Sequence, residues 1–415
     1  MKRFKYDVFD NAENYITTWN DVVSEPSFDD SVNGGLGEMK VLLARNSDDF
    51  GESDDVDFRN QVILTAFDDE TSDGVVIFNG WISGYTPVLE EDKEHIEITI
   101  LGYVQELSRV ELLDNGSGIN DSPSAGKTTL TYTAQEPGDI LKDIIDKYNS
   151  LTGVFGKIDY TTSPDSIGDT GITVTYTFNT VSILDAINKV IEMCPANWYW
   201  HLDANNIIHL KEYPTTPDHT FYVGKDVIKI APYKRIENVK NVAYITGKDT
   251  GSGNLFRTKS HGSSITNYGR SVVFISDNRV SNAATADKFM DASLDTYDST
   301  EVRTQASILD SNNERGIGYD IETIAPGDVV NFLNFLSKKT YSLWGRMIWN
   351  VDVWGYDISN VTATNVNIVK VSYSPNKVDI EVSSRLPLIG NTITELRRRL
   401  EAVDTENNPA TPTAA

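Results

Sequence analysis

A single cysteine, Cys194, in 415 residues excludes an intramolecular disulfide framework and any site built from several thiolates. It sits in "KVIEMCPANW", at the end of an apolar helical pattern, and reads as a small buried hydrophobe. Basic residues are scarce: 36 Lys and Arg stand against 61 Asp and Glu, a net charge of −25. Gripping a phosphate backbone needs a cationic face, so specific nucleic-acid binding is excluded as an expectation. No stretch approaches the roughly 18 uncharged apolar residues of a membrane-spanning helix. The opening "MKRFKYDVFD" has two acids and no apolar run, unlike a secretory leader. The five histidines, His95, His201, His209, His219 and His261, form no H-E-x-x-H and no i, i+4 pair, and no G-x-S-x-G elbow occurs.

What is present is apolar and aromatic: 39% hydrophobic residues, with 19 Tyr, 15 Phe and 7 Trp. That supports globular domains, and the length predicts two or three of them. In the first 112 residues, "MKVLLAR" (39–45), "NQVILTAF" (60–67), "GVVIFNGWISGY" (74–85) and "EHIEITILGY" (94–103) are rich in β-formers and bounded by turn signals. Ile96, Ile98 and Ile100 alternate with Glu97 and Thr99, the period of a sheet with one wet face. A small antiparallel barrel or sandwich is expected, followed by a polar linker, "NGSGINDSPSAGKT".

Composition then shifts. "PGDILKDIIDKYNS" (137–150) and "SILDAINKVIEM" (182–193) each place their aliphatic residues on one helical stripe, the second opened by Ser182 with Asp185 three residues on. "TGITVTYTFN" reads as a strand between them, and "NWYWHLDANNIIHLKEY" (197–213) as a hairpin turning at "DANN". His201 and His209 belong to that hairpin and are expected to pack across it rather than bind zinc. From about 233 strands return, interrupted by a helix with Ala286, Phe289, Met290, Leu294 and Tyr297 on its apolar face. The end reads as a short helix opened by Thr392, then a polar tail expected to be disordered. The fold class expected is α+β, predominantly β. Its divisions are 1–114 (first β-barrel), 115–127 (linker), 128–232 (α+β), 233–388 (second β-barrel with one helix) and 389–415 (helix and tail).

Three acidic or glycine-rich stretches invite chemistry. "SPSAGKTTL" lacks the first glycine of a phosphate loop, Asp121 standing there, and is followed by a strand pattern, so the linker reading wins. In "NSDDFGESDDVDF" (46–58), Asp48, Asp54 and Asp57 are metal candidates. Phe50 occupies a ligand position, however, and Asp57 replaces the closing Glu of a calcium loop, so a solvated acidic loop is the default. Glu90, Glu91, Asp92 and Glu94 crowd one strand connection. Glycosidase carboxylates face each other at roughly 5–9.5 Å, usually from different elements, so these acids are expected to solubilise a hairpin tip. No catalytic residue and no cofactor is assigned. Trp344, Trp349 and Trp354 fit a subunit interface or core, or alternatively a sugar-stacking surface. Arg397, Arg398 and Arg399, near the C-terminal end of the last helix pattern, form a candidate docking element.

Two short segments resemble each other. Tyr85-x-Pro87 and Tyr373-x-Pro375 each end a strand, and each leads to an Ile-Glu-aliphatic return strand (Ile96, Glu97, Ile98; Ile380, Glu381, Val382). Such self-similarity fits a duplicated barrel interrupted by an inserted domain.

In the order of its elements the chain resembles phage tail baseplate hub proteins, the family that includes the contractile-phage hub and the N-terminal hub region of siphophage tail-tip proteins. The resemblance is carried by "GEMKVLLAR", "VDFRNQV" and "IFNGWISGY", then "PGDILKDIIDKYNS", "TFNTVSILDAINKVIEM" and "ENVKNVAYITG". "APGDVVNF" and "VSYSPNKVDIEV" close it, so it spans roughly residues 30 to 385. It implies two tail-tube-like barrels per chain. It also implies a homotrimer whose ring joins the six-fold tail tube, or a distal tail protein, to a three-fold tip carrying a spike or fibre. The function expected is structural and non-enzymatic, in the virion tail tip, around a DNA exit channel whose acidic lining would not hold DNA. The alternative expectation is a virion carbohydrate-binding or receptor-binding module.

Overall fold

The computed structural model describes residues 2–333, apart from 46–53, 68–72, 91–92, 114–128, 155, 162–165, 196, 224–225, 237–238, 250–252, 278–279, 281, 299–300 and 311–318, and then 366–383. The first eight strands are β1 (Arg3–Phe9), β2 (Tyr15–Trp19), β3 (Phe28–Ser31), β4 (Gly34–Gly35), β5 (Glu38–Leu43), β6 (Gln61–Phe67), β7 (Val75–Glu90) and β8 (Lys93–Gly102). Six of them form an antiparallel sheet in the order β2-β1-β6-β7-β8-β5. Strict alternation builds it. In β6, Val62, Leu64 and Ala66 point into the core while Ile63 and Thr65 stay partly exposed, as a period of two requires.

This sheet curls on itself. Its outermost strands, β2 and β5, would stand about 24 Å apart if six strands lay flat at about 4.8 Å spacing. Yet Val22, three residues past the end of β2, bridges Leu43 of β5, and three residues reach only about 10 Å. Val23 N–H donates to Leu42 O and Ala44 N–H to Asp21 O, both at 2.9 Å. The two edges meet.

A short helix, α1 (Val104–Leu107), leads into the middle of the chain: β9 (Thr129–Gln135), α2 (Pro137–Ser150), β10 (Val174–Asn179), α3 (Ile183–Met193), β11 (Trp198–Leu202) and β12 (Ile208–Glu212). Helix α2 begins with Pro137 at its first turn, and Glu136 accepts from Asp139 N–H; a first-turn proline loses no helical hydrogen bond. Ser182 caps α3 by accepting from Asp185 N–H at 3.0 Å, the cap expected from sequence.

The remainder runs β13 (His219–Tyr222), β14 (Val227–Arg235), β15 (Val242–Asp249), β16 (Asn254–Ser260), α4 (Gly262–Tyr268), β17 (Val272–Ser276), α5 (Ala283–Tyr297), β18 (Glu301–Leu309), β19 (Val329–Leu333), β20 (Val366–Ser374) and β21 (Lys377–Ser383). A second large sheet has the order β13-β19-β20-β21-β18-β14. Its pairings are antiparallel except β13 with β19, which is parallel. Here too the outermost strands are joined by a short link, Tyr222 to Val227, and Asp226 N–H donates back to Tyr222 O at 2.9 Å. A flat sheet could not be bridged in five residue steps, which span at most about 18 Å. This sheet is curled as well, and the fold is α+β, predominantly β.

Strand β3 ties the two curled sheets together. It leaves the first β-region and pairs antiparallel with β20, Phe28 opposite Tyr373 and Ser31 opposite Lys370. Residues of both sheets, Val8, Leu64, Phe78 and Ile98 from one and Phe221, Ile308, Val371 and Ile380 from the other, belong to a single buried cluster with Phe28 between them. A second cluster gathers α2, α3, β9 and β10. It also takes in Ala243 and Ile245 of β15, Phe289, Met290 and Leu294 of α5, and Trp81 and Leu101 of the first sheet. Membership of the two cores thus crosses the sequence positions 115 and 232.

The repeated Tyr-x-Pro segments fall on two hairpins, β7–β8 and β20–β21, one in each curled sheet. Tyr85 pairs with Ile98 and Tyr373 with Val378. Pro87 lies within β7, whereas Pro375 lies in the turn.

Candidate functional site

The β7–β8 hairpin outruns its neighbours. Strand β6 stops opposite Trp81 and β5 stops opposite Ile96. Beyond that, Val88 pairs with His95, Leu89 with Glu94 and Glu90 with Lys93. Of the acids that the sequence crowds at 90–94, Glu94 therefore stands on the projecting part of the hairpin, and Glu91 and Asp92 lie outside the described residues. Ile98 and Ile96 are fully buried on its inward face, and Leu89, on the same face two pairs further out, is 71% exposed. Phe58 stacks on Tyr85 with ring centroids 5.1 Å apart, covering the hairpin near its base.

A second exposed apolar surface lies on the three-stranded sheet β16-β15-β17. Its inner face packs Ala243 and Ile245, both fully buried, toward α5. There Arg257 pairs with Asp287 at 2.8 Å and Lys259 with Asp291. Its outer face carries a row of three rings, one per strand. Tyr244 lies 5.4 Å from Phe274 with planes 16° apart, and 5.9 Å from Phe256 with planes 26° apart. Phe274 is 79% exposed and Phe256 59%. Arg270 Nη2 donates to the Tyr244 hydroxyl at 2.9 Å. Nearly parallel rings at these separations are offset-stacked, and the row forms an exposed apolar ridge across the three strands.

Several polar groups are sunk between elements. Lys2 Nζ bonds Asp310 at 2.6 Å and also meets Glu322, with all three side chains at most 4% exposed; Tyr373 donates to Glu322 Oε1 at 2.6 Å. Burial pushes the Glu322 carboxyl up to about 7, helped by Asp320 and opposed by Lys2 and Tyr373. His201 and His209 are directly paired across β11–β12, with ring centroids 6.4 Å apart. Each faces its own carboxylate: His201 reaches Asp30 at 2.9 Å and His209 reaches Asp203 at 2.9 Å. Burial lowers the affinity of His201 for a proton, but the Asp30 charge outweighs it and the net shift is upward. Burial pushes the Cys194 thiol well up, which leaves it a packed side chain without thiolate character.

Of the metal candidates, Asp48 lies outside the described residues. Asp54 opens a 3-10 turn with its backbone, and Asp57, exposed, accepts from the Phe58 amide at 2.7 Å. Their neighbour Asp55 is committed to the Trp19 indole at 2.8 Å and to Arg45 at 2.8 Å. Among the described residues no three of His, Cys, Asp or Glu gather as a metal site. Trp344, Trp349 and Trp354 and Arg397, Arg398 and Arg399 also lie outside the described residues. Sequence reasoning passed over the ridge. Its signal was the alternation in β15 and β17, where apolar Ala243, Ile245, Val273 and Ile275 interleave with aromatic Tyr244 and Phe274, leaving both faces apolar.

Two clefts accompany these surfaces. One of about 430 Å³ lies at the seam of the curled sheets, lined by Lys2, Tyr6, Trp19 and Pro375 among others. One of about 460 Å³ lies on the second sheet, where Lys229, Lys370 and Lys377 stand beside Asp379 and Glu381. In the second, Lys377 pairs with Asp379 at 2.8 Å and Lys370 with Asp29 at 2.9 Å. There Ser307 donates its hydroxyl to Asp379, and Ser372 donates to Asp29 at 2.6 Å.

No family model and no curated protein matches the chain. Solved structures do match, over almost its full length. Prophage tail protein gp18 from Listeria monocytogenes superposes with a TM-score of 0.54 at 12% identity, covering 96% of this chain and 99% of that one. The chain has the fold of phage tail proteins. A tail protein from Neisseria meningitidis gives 0.53 at 9% identity, covering 92% and 96%. The 43 kDa tail protein of prophage MuSo2 from Shewanella oneidensis gives 0.50 at 10% identity, covering 91% and 98%. The likeness to these tail proteins runs through both curled sheets and the helical middle.

Proposed function

We propose that the protein is a non-enzymatic structural component of a phage tail tip, the baseplate hub. The observation that carries this reading is the likeness over 91–96% of the chain to three phage tail proteins, end to end in both partners. In this reading three copies form a ring in the virion. Each supplies two curled sheets, the first from strands within residues 3–102 and the second from strands within 219–383 with β3 joined to it, and the helical middle lies between them in sequence. Six sheets from three chains would match a six-fold tube above and a three-fold tip below. The strand exchange through β3 supports it, because it makes each pair of sheets one mechanical body. The charge of −25 per chain suits a channel wall past which DNA slides. The tail tube or a distal tail protein on one side and a spike or fibre on the other are its partners. Trp344, Trp349 and Trp354 serve as interface, and Arg397, Arg398 and Arg399 as a dock for the next tip protein. Deletion of 390–415 with unaltered tip assembly removes that last role.

Gold-labelled antibody on the virion that carries this protein tests the placement. Label at the distal end of the tail is expected. Label on the capsid or along the tail shaft overturns it.

A further inference from the structure

Ion pairs pin distant segments of the chain to one another with two kinds of cation. Beside β1, Lys2 holds Asp310 and Glu322 of the second β-region. Arg59 holds Glu106 of α1 at 2.9 Å, and Lys189 of α3 holds Asp277, after β17, at 3.2 Å. Lysine and arginine keep their charge through neutral pH. Where the β11–β12 hairpin meets β3, the cation is a histidine instead. Nε2 of His201 lies 2.9 and 3.0 Å from the two carboxylate oxygens of Asp30. Two further aspartates act on His201, Asp203 and Asp328, and each of these is itself paired with a histidine, His209 and His219.

This junction is thin. Strands β4 and β11 pair over two residues only, Gly34 opposite His201 and Gly35 opposite Leu202. Asn33 N–H donates to Trp200 O at 2.7 Å, and Trp200 N–H donates to Asn33 Oδ1 at 3.2 Å. Its own apolar cluster is small: Val32, Tyr199, Tyr213 and Val369. Segments with little apolar burial open locally before the whole fold does. Facing His201 are Asp30 from β3, Asp203 from the hairpin turn and Asp328 from the turn before β19. His209 lies beside it on β12, ring centroids 6.4 Å apart, and Lys211, opposite Tyr199, is the next charge along β12.

We infer that a proton on His201 gates this junction: charged, it clamps the β11–β12 hairpin to the β3–β4 segment, and neutral, it lets the two part locally while both curled sheets stay folded. Neutral His201 still hydrogen-bonds Asp30 but no longer offsets the charge of a carboxylate only 15% exposed, and a charge held away from water without a counter-charge is costly. Burial opposes the proton on His201, and the charges of Asp30, Asp203 and Asp328 outweigh it. The clamp is therefore fully held below the ordinary histidine value of about 6.5 and released as pH rises through the higher folded value. The device belongs to the single chain and needs no ring.

Amide hydrogen exchange on the full chain at pH 6 and pH 8.5 tests it, each protection factor being corrected for the intrinsic pH dependence of exchange. The Asn33 amide follows the junction, and the Ile98 amide, in the middle of the first sheet, follows the fold. Relative to Ile98, protection of Asn33 is expected to fall by about threefold or more between the two pH values. Asp30→Asn and His201→Gln each abolish that fall, with Ile98 still protected, whereas Glu322→Gln leaves it in place. A constant ratio in the wild-type chain, or a fall that persists in Asp30→Asn, overturns the inference.

Discussion

Phe28 lies flat on Tyr373, ring centroids 5.0 Å apart and planes 17° apart, although 345 positions separate them in sequence. Phe28 also tilts against Phe78 at 5.1 Å. One aromatic side chain from β3 thus touches both curled sheets and makes their two interiors continuous. Two sheets packed only by their rims would hinge, and this joint holds them as one body.

Phe28→Ala is expected to cost about 3–5 kcal/mol, the range for truncating a buried phenylalanine. The two sheets are expected to unfold in one transition. Denaturant unfolding followed by tryptophan fluorescence and by circular dichroism checks both points. Separate transitions by the two probes would show two independent cores.

Glu322 makes stability depend on pH. Burial pushes its carboxyl up to about 7 in the folded state, from an ordinary value of 4.5. The folded state therefore holds a proton that the unfolded state has released between those values, and stability falls as pH rises through the window. The contribution is on the order of 3 kcal/mol. Melting temperature measured from pH 4.5 to 8 is expected to fall with a slope that Glu322→Gln flattens; an unchanged slope contradicts the assignment.

His201 acts in the same direction. Its raised affinity for a proton, due to Asp30, gives stability fully present below the ordinary histidine value of about 6.5 and lost as pH rises through the higher folded value. His201→Gln is expected to cost about 1–3 kcal/mol at pH 6 and less at pH 9. A cost independent of pH would mean that the pair is held by packing alone.

In the structural reading the exposed row of Phe256, Tyr244 and Phe274 is a protein-contact surface, so a glycan array is expected to give no signal for the wild-type protein. A signal abolished by Trp349→Ala would establish the receptor-binding alternative.

Much of this fold was legible. The stripes at 137–150 and 182–193 became α2 and α3 almost residue for residue, because one apolar face per helix is a local signal. "EVRTQASIL" became β18, and "DANN" turned the β11–β12 hairpin. Strand β1 was missed even though Tyr6 and Val8 alternate with Lys5 and Asp7; the charges made the run look polar. Strand β3, Phe-Asp-Asp-Ser, was not legible at all. Phe28 is its only apolar residue, and its identity as a strand comes from a partner near residue 370. The same limit hid the shared core, since no local period records which distant sheet a side chain enters. The ridge was missed because its strands were read for fold and not for what their second face displays.

The central claim is a ring of three chains, and mass in solution combined with electron-microscope imaging tests it most directly. The account predicts a species of three times the 46.1 kDa chain mass, seen as a disc with a central hole. A single closed particle of one chain mass at every concentration, with no hole, would contradict it.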